Sequence, residues 1–141
     1  MIPIYRAKSN ERKNTFVEGF LIGIDEETGL CTIRTKDDYI GGEICYLHTL
    51  SIHFEDMLDS QGNKIFASLQ EDGKGGDVLN SGYGEVIIAI YEEGMIKFRY
   101  EEVLPYNHTT IDKIEDENFL SFYEVWQIRD KLESEVIGIQ E

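Results

Sequence analysis

The sequence predicts a mainly β protein, either a small SH3-like barrel or a strongly bent antiparallel sheet, with one C-terminal helix. Short extended runs follow one another along much of the chain, and turns rich in Gly, Asp and Glu separate them. Hydrophobic residues make up 41% of the chain, which argues against a disordered polypeptide. A length of 141 residues fits a single domain, 1–141, with a possible subdivision near a loop at residues 70–84.

The first predicted hairpin joins residues 16–24 to residues 30–34 through a turn at residues 25–29. A third extended segment covers residues 43–54, and a further turn falls within residues 57–66, where Asp, Gly and Asn favour a tight reversal. The strand at 16–24 has apolar residues on both faces: Phe16, Phe20, Ile22 and Ile24 on one face, and Val17 and Leu21 on the other.

A second hairpin is predicted between residues 85–91 and 95–100, with a three-residue loop at 92–94. Its first strand is apolar on both faces, as in a buried strand, and its second strand alternates. The five glycines of residues 70–84 predict a long loop, interrupted at most by a short strand at 77–79. Residues 135–139 are typical of a final short strand.

Residues 116–131 are predicted to form an amphipathic helix. Asp116 and Glu117 fall in its first turn, and Arg129 and Lys131 fall in its last turn, which is the charge order that the helix dipole favours. Residues 119–126 could instead form a strand, because aromatic and β-branched residues suit one. The apolar residues at helical spacing are Phe119, Phe122, Tyr123, Trp126 and Leu132.

The charge of the chain limits its partners. It carries 28 acidic residues against 13 Lys and Arg, a formal net charge of −15. Tight binding of a nucleic-acid backbone requires Lys and Arg, so no direct nucleic-acid partner is expected. Residues 1–12 lack the apolar core of a signal peptide, and no apolar run reaches the roughly 20 residues of a bilayer span. We therefore expect no membrane partner and a cytoplasmic location, with Cys31 and Cys45 reduced and packed as small hydrophobes.

No cofactor, metal or catalytic residue is predicted. Cys45, His48 and His53 are the nearest approach to a metal site, but one continuous strand would hold Cys45 and His53 about 26 Å apart, with His48 on the other face. Asp59, Gln61 and Asn63 have the alternate spacing of calcium ligands, yet the Glu that should close such a loop is missing. The chain also lacks the Gly-x-Ser-x-Gly motif of serine hydrolases.

The predicted function is a non-catalytic binding module for a protein partner. The candidate partner-binding residues are Trp126, Tyr123, Asp116 and Glu117, which combine an aromatic face with an acidic helix start. The same aromatic stripe would also suit a core-facing helix or a homo-oligomer contact. Two alternatives remain open at this point: a DNA mimic that inhibits a nucleic-acid-binding host enzyme, and a small enzyme with an unrecognised site.

Four short motifs resemble the YopX family of phage and prophage proteins. Residues 58–66 are similar to that family's central Leu-Lys-Asp-Lys-Asn-Gly-Lys-Glu-Ile pattern, and residues 5–7, 84–86 and 135–138 resemble its opening, a following strand and its Glu-Val-Ile-Gly signature. The chain departs from the pattern after Phe66, where the family's Glu-Gly-Asp is missing, and in its last three residues. The resemblance implies an SH3-type barrel, a phage origin and the host cytoplasm, and it implies no activity and no functional residues.

Overall fold

The computed structural model describes residues 2–35, 41–80, 85–103, 119–121 and 135–141. Within these ranges the chain is mainly β, and its helical content is one short 3₁₀ helix, Leu47–Thr49. The strands are β1 (Ile4–Lys8), β2 (Phe16–Asp25), β3 (Leu30–Arg34), β4 (Glu43–Tyr46), β5 (Ser51–His53), β6 (Ala67–Ser68), β7 (Asp77–Asn80), β8 (Glu85–Glu92), β9 (Met95–Val103), β10 (Phe119–Ser121) and β11 (Glu135–Ile139).

All of these strands belong to one curled sheet. Its order is β10-β9-β8-β6-β5-β1-β2-β3-β4, while β7 pairs with β8 and β11 to one side of this path. Every pairing is antiparallel except the contact of β6 with β8, which is parallel. Short turns join β2 to β3 and β8 to β9, as the turn residues of the sequence predict, whereas β1 with β5, β6 with β8 and β7 with β11 are pairings of non-sequential strands.

The first five strands curl into a half-barrel. β1 pairs with β2 on one side and with β5 on the other, and β2, β3 and β4 continue as a meander. An isolated bridge between Ser9 and Cys45 brings β4 back to the end of β1. The 3₁₀ helix then turns the chain between β4 and β5. The prediction of one continuous extended segment at residues 43–54 is therefore wrong at residues 47–49, because the 3₁₀ helix bends the chain there.

Two hydrophobic clusters lie along the sheet. One lies within the half-barrel, and the other lies under β5 to β9. Tyr5 and Leu69 pack against both clusters and connect them. The half-barrel cluster contains Ala7, Val17, Cys31, Ile33, Cys45 and Leu50, and the second contains Ile52, Met57, Ile65, Ala67, Leu79, Ile87, Ala89 and Phe98.

The predicted hairpin of β8 and β9 is confirmed, but its loop is shorter than expected. Glu92 pairs with Met95, which leaves two loop residues, Glu93 and Gly94. Both have positive φ, 55° and 77°, as the tight turn that matches strand twist requires. The sequence indicated this conformation only for the glycine, because a glutamate rarely adopts it. The short strand predicted at 77–79 is also confirmed, as β7.

The prediction of a helix at residues 116–131 is wrong for residues 119–121, which are the part of this range that the structure describes. Residues 119–121 form β10, which pairs antiparallel with β9 and places Phe119 opposite Arg99. The edge of β9 supplies the backbone hydrogen bonds that a helix would make internally, and aromatic residues suit a strand. The alternative strand is confirmed for these three residues. The remainder of 116–131 lies outside the described residues.

Candidate functional site

A groove with a mainly apolar lining lies beside β1, β2 and the turn at residues 57–66. Two of its apolar side chains are strongly exposed, with 74% of Ile2 and 44% of Phe20 accessible to solvent. Concave apolar surface is where proteins commonly bind ligands or segments of partners. The groove is therefore the candidate functional site. It encloses about 560 Å³ and is lined by Ile2, Ile4, Phe20, His53, Glu55, Leu58 and Lys64.

Strand register brings the apolar residues of the groove together. Tyr5 lies opposite Gly19 in the β1–β2 ladder, so the next pair in this register is Ile4 with Phe20. Ile4 also lies opposite His53 of β5. A side chain at position 19 would collide with the carbonyl group of Arg34, so a glycine is required there. Adjacent strands thus place Phe20, Ile4 and His53 side by side along one face of the sheet.

The polar side chains of the groove already make contacts inside the protein. His53 is buried, and its Nδ1 lies 3.0 Å from the carbonyl oxygen of Ile65. The Lys64 ammonium lies 3.6 Å from a carboxylate oxygen of Glu18, and both side chains are about half exposed. Glu55 lines the groove and is exposed at its rim. Two carboxylates, Glu55 and the Glu18 that faces Lys64, therefore stand against one ammonium beside the apolar lining, which makes the rim anionic.

A buried ion pair anchors the strand that carries Ile4. Arg6 Nη2 donates to Asp77 Oδ1 and to the carbonyl oxygen of Gly75, both at 2.8 Å. The other carboxylate oxygen of Asp77 accepts the backbone N–H of Phe66 at 2.8 Å. Burial raises the pKa of Asp77, and the charge of Arg6 and the Phe66 N–H oppose that rise. The pair joins β1 to β7 and to the segment before β6.

Phe66 connects this ion pair to the groove. Its ring centroid lies 4.4 Å from the guanidinium carbon of Arg6 and 5.3 Å from the ring centroid of His53. A guanidinium over an aromatic face is attracted by the ring quadrupole. Phe66 is only 1% exposed, so His53 packs against a buried aromatic ring. One side of the groove is therefore backed by the protein core.

Asp59 holds the turn that forms the other side of the groove. Its carboxylate accepts the backbone N–H groups of Gln61 and Asn63 at 2.9 and 2.7 Å, the side-chain amide of Asn63 at 3.0 Å, and the backbone N–H of Val136 at 2.9 Å. Burial alone would raise the pKa of Asp59, but these hydrogen bonds outweigh it and the pKa is lowered. Asp59 therefore fixes the turn and ties β11 to it.

Stability is expected to depend on pH through Asp59. Because the folded-state pKa is lowered, the carboxylate contributes stability above the unfolded-state value of about 3.9, and this contribution is lost as the pH falls through the folded-state pKa. Replacement of Asp59 by alanine should cost about 1–3 kcal/mol at neutral pH. The difference from wild type should shrink below about pH 4, as measured by urea unfolding across the pH range.

Asp56→Ala is the matched control, because Asp56 is an exposed residue in the same segment. It should change the free energy of unfolding by less than about 0.5 kcal/mol at any pH tested. A loss for Asp59→Ala that is the same at acidic and neutral pH would contradict the role assigned to the carboxylate.

A second groove of about 480 Å³ lies at the 3₁₀ helix. Its lining combines apolar and polar residues: Ile24, Glu26, Gly29, Leu47, His48, Leu50, Leu69 and Gln70. Gln70 bridges its sides by donating from its amide to the carbonyl oxygen of Leu47 at 3.1 Å. This groove has a more polar lining than the first, and Ile24 is its one strongly exposed large apolar side chain.

The four residues predicted to bind a partner, Asp116, Glu117, Tyr123 and Trp126, lie outside the described residues. The groove residues, in contrast, were not predicted from the sequence. The available signal was the strand at 16–24, whose apolar residues occupy both faces. Since one face of β2 packs on the half-barrel core through Val17, the other face exposes Phe20.

The cysteines and histidines in the described part of the chain do not gather into a metal site. No group of three or more His, Cys, Asp and Glu side chains there is placed to hold a metal ion. Cys45 is buried in the half-barrel, His48 lines the second groove and His53 lines the first. Over the same residues, no helix has the length and apolar character that crossing a bilayer requires.

The resemblance to the YopX family, carried by residues 58–66 and three other motifs, stays a prediction. In the structure, residues 58–66 form the turn that Asp59 organises, and residues 5–7 lie in β1. Comparisons of the chain with protein-family models, with curated proteins and with solved structures find no match.

Proposed function

We propose that the chain is a non-catalytic module that binds a short segment of a protein partner in the groove beside β1 and β2. The observation that carries this proposal is the exposure of Ile2 and Phe20 within a concave, mainly apolar lining. Large contiguous apolar patches, unlike apolar residues scattered singly over the surface, mark interaction sites. A segment lying in the groove would cover both side chains.

The chemistry of the partner segment follows from the charge around the groove. Glu18 and Glu55 outnumber Lys64 at the rim, and the whole chain has a formal net charge of −15. Complementary potentials steer association and exclude partners of like charge. The occupant is therefore a segment with apolar side chains for the lining and Lys or Arg for the rim.

We also infer that residues 4–35 and 41–53 form the SH3-like barrel. This inference is supported by the β1–β5 pairing, the β2-β3-β4 meander, and the 3₁₀ helix between β4 and β5. The return of β4 to β1 through Ser9 and Cys45 supports closure of the barrel. The same fold is what the YopX resemblance implies. Small barrels of this kind host many unrelated functions, so the function is argued from the groove.

The binding proposal is tested with peptides selected from a random displayed library against the wild-type chain. The selected peptides should be enriched in Lys or Arg together with apolar residues. Phe20→Glu should weaken their binding at least about tenfold, equivalent to about 1.4 kcal/mol, in isothermal titration calorimetry. The reason is that a carboxylate would replace the apolar surface that the peptide buries.

Met95→Glu is the matched control, because Met95 is 48% exposed and does not line the groove. It introduces the same charge at a similarly exposed apolar position. At an ionic strength that screens the general effect of one added charge, the affinity of Met95→Glu for the selected peptides should stay within about twofold of wild type. Equal losses for the two variants, or selection of acidic peptides, would refute the groove as the binding site.

A further inference from the structure

The only two cysteines of the chain lie directly opposite each other on neighbouring strands. Cys31 of β3 is the register partner of Cys45 of β4. Both are free, both belong to the half-barrel cluster, and they are 2% and 0% exposed. Side chains of directly opposed residues project from the same face of a sheet. The two thiols therefore lie side by side in the core.

The backbone hydrogen bonds around Cys31 and Cys45 show whether the two residues form a hydrogen-bonded or a non-hydrogen-bonded pair of the antiparallel ladder. Leu47 N–H donates to the carbonyl oxygen of Gly29 at 2.9 Å. Gly29 and Leu47 lie two positions along the two strands from Cys31 and Cys45, and they therefore form a hydrogen-bonded pair. The backbone groups of Ile44 point away from β3, to Asn10 N–H and a Glu11 carboxylate oxygen. Because bonded and non-bonded pairs alternate, Cys31 and Cys45 form a hydrogen-bonded pair. Their α-carbons are then about 5.5 Å apart, the commonest separation in disulfides.

Burial protects both thiols in the closed sheet. It raises the pKa of Cys31 to about 11 and that of Cys45 to about 12, and for Cys45 the neighbouring Cys31 contributes as well. Since the thiolate is the reactive form, reaction at neutral pH requires β4 to open. β4 ends the sheet path, and the bridge at Ser9 and the contacts of Asn10 and Glu11 hold its outer side.

We propose that Cys31 and Cys45 are a redox-sensitive pair that a thiol–disulfide couple such as glutathione converts to an intrachain disulfide. When β4 opens, the Cys45 thiolate attacks one sulfur of glutathione disulfide and releases one glutathione thiol. The Cys31 thiolate then attacks the Cys45 sulfur of the mixed disulfide and releases the second. Two protein thiols lose two electrons and two protons in total, and one glutathione disulfide becomes two glutathione thiols.

The bond formed is expected to be reversible. β-Carbons of opposed residues lie about 4.5–5.5 Å apart, whereas disulfides bring them to about 3.5–4.5 Å. β3 and β4 must therefore move slightly together, and a strained disulfide is reduced more readily than a structural one. Oxidation would tighten the half-barrel, and reduction would restore the present arrangement.

The test is a redox titration of the full chain with reduced and oxidised glutathione, in native buffer and in concentrated guanidinium chloride. After acid quenching, mass spectrometry separates the dithiol, the mixed disulfide and the intrachain disulfide, which lacks two hydrogen atoms. The folded chain should favour the intrachain disulfide at least about tenfold more strongly than the denatured chain does, because the fold already holds the thiols together.

Cys31→Ala and Cys45→Ala are the controls, and neither should form an intrachain disulfide. Each should also resist glutathione adducts in native buffer more than in denaturant, because the remaining thiol is buried. Equal equilibrium constants in the two solvents, or disulfides that join two chains, would overturn the proposal. The wild-type comparison does not depend on whether either variant folds.

Discussion

Replacement of Asp77 by alanine is expected to lower the free energy of unfolding by about 3–5 kcal/mol at neutral pH. Asp77 is 1% exposed, and its carboxylate pairs with the buried Arg6 and accepts the Phe66 N–H. Without the carboxylate, the guanidinium stays buried without its counter-charge and the Phe66 N–H loses its acceptor. Each of these losses is costly because water does not replace the partner. Urea unfolding followed by tryptophan fluorescence or circular dichroism measures the change.

Glu141→Ala is the control for this prediction. It removes a different ion pair, Lys8 with Glu141 at 3.0 Å, in which the glutamate is 65% exposed. Pairs of this kind contribute about 0–1 kcal/mol. The double variant Arg6→Met with Asp77→Leu should be less destabilised than Asp77→Ala, because no buried charge is left unpaired. An Asp77→Ala variant as stable as Glu141→Ala would show that the buried pair does not anchor β1.

Replacement of Gly75 by alanine is expected to destabilise the fold by about 3 kcal/mol or more. Gly75 has a φ of 83°, and a β-carbon there would collide with the carbonyl group of Thr49. The carbonyl oxygen of Gly75 also accepts a hydrogen bond from Arg6, and the N–H of Gly75 donates to the carbonyl oxygen of Gln140 at 2.7 Å. Movement of Gly75 to relieve the collision would therefore weaken both contacts. Thermal and urea unfolding of the variant measure the effect.

The variant Gly62→Ala separates the cost of the left-handed backbone from the cost of the steric collision. Gly62 has the same φ of 83°, but a β-carbon there would meet nothing within 4 Å. It should cost about 1–2 kcal/mol, the penalty of left-handed backbone alone. The difference between the two variants then gives the cost of the collision. Equal losses would mean that the loop at Gly75 adapts freely to a side chain.

The chemistry of two described turns, at residues 25–29 and 57–66, could be predicted closely from the sequence. Asp25 and Gly29 reverse the first hairpin as expected: the Asp25 side chain accepts the Glu27 N–H at 3.0 Å, and Gly29 has a φ of 71°. Asp59 and Gly62 act similarly in the turn at 57–66. Such turns depend on neighbouring residues, so local sequence is enough to indicate them.

Long-range features could not be predicted in the same way. The pairing of β10 with β9 replaced the predicted helix at 119–121, since the partner strand comes from another part of the chain. The juxtaposition of Cys31 with Cys45 depends on the register of β3 with β4. The partnership of Arg6 with Asp77 joins residues 71 positions apart in sequence. No periodicity within one segment reports such contacts.

The groove shows the same limit at the level of function. The sequence predicted a partner-binding surface near Trp126, whereas the described apolar groove is assembled from β1, β2, β5 and a turn. Phe20 was visible as one of several apolar residues in a strand. Its exposure follows from the packing of the opposite face of β2 on the half-barrel core, which depends on strands elsewhere in the chain.

Chemical-shift mapping of a library-selected peptide on the isotope-labelled chain tests the proposed function most directly. If the peptide lies in the groove, the largest shift changes will fall on the backbone amides of Ile2, Ile4, Phe20 and Leu58. Their positions would show that the exposed apolar lining is the contact surface. Largest changes at the second groove, around Leu47 and Gln70, or at the β8–β9 turn, would contradict the proposed binding site.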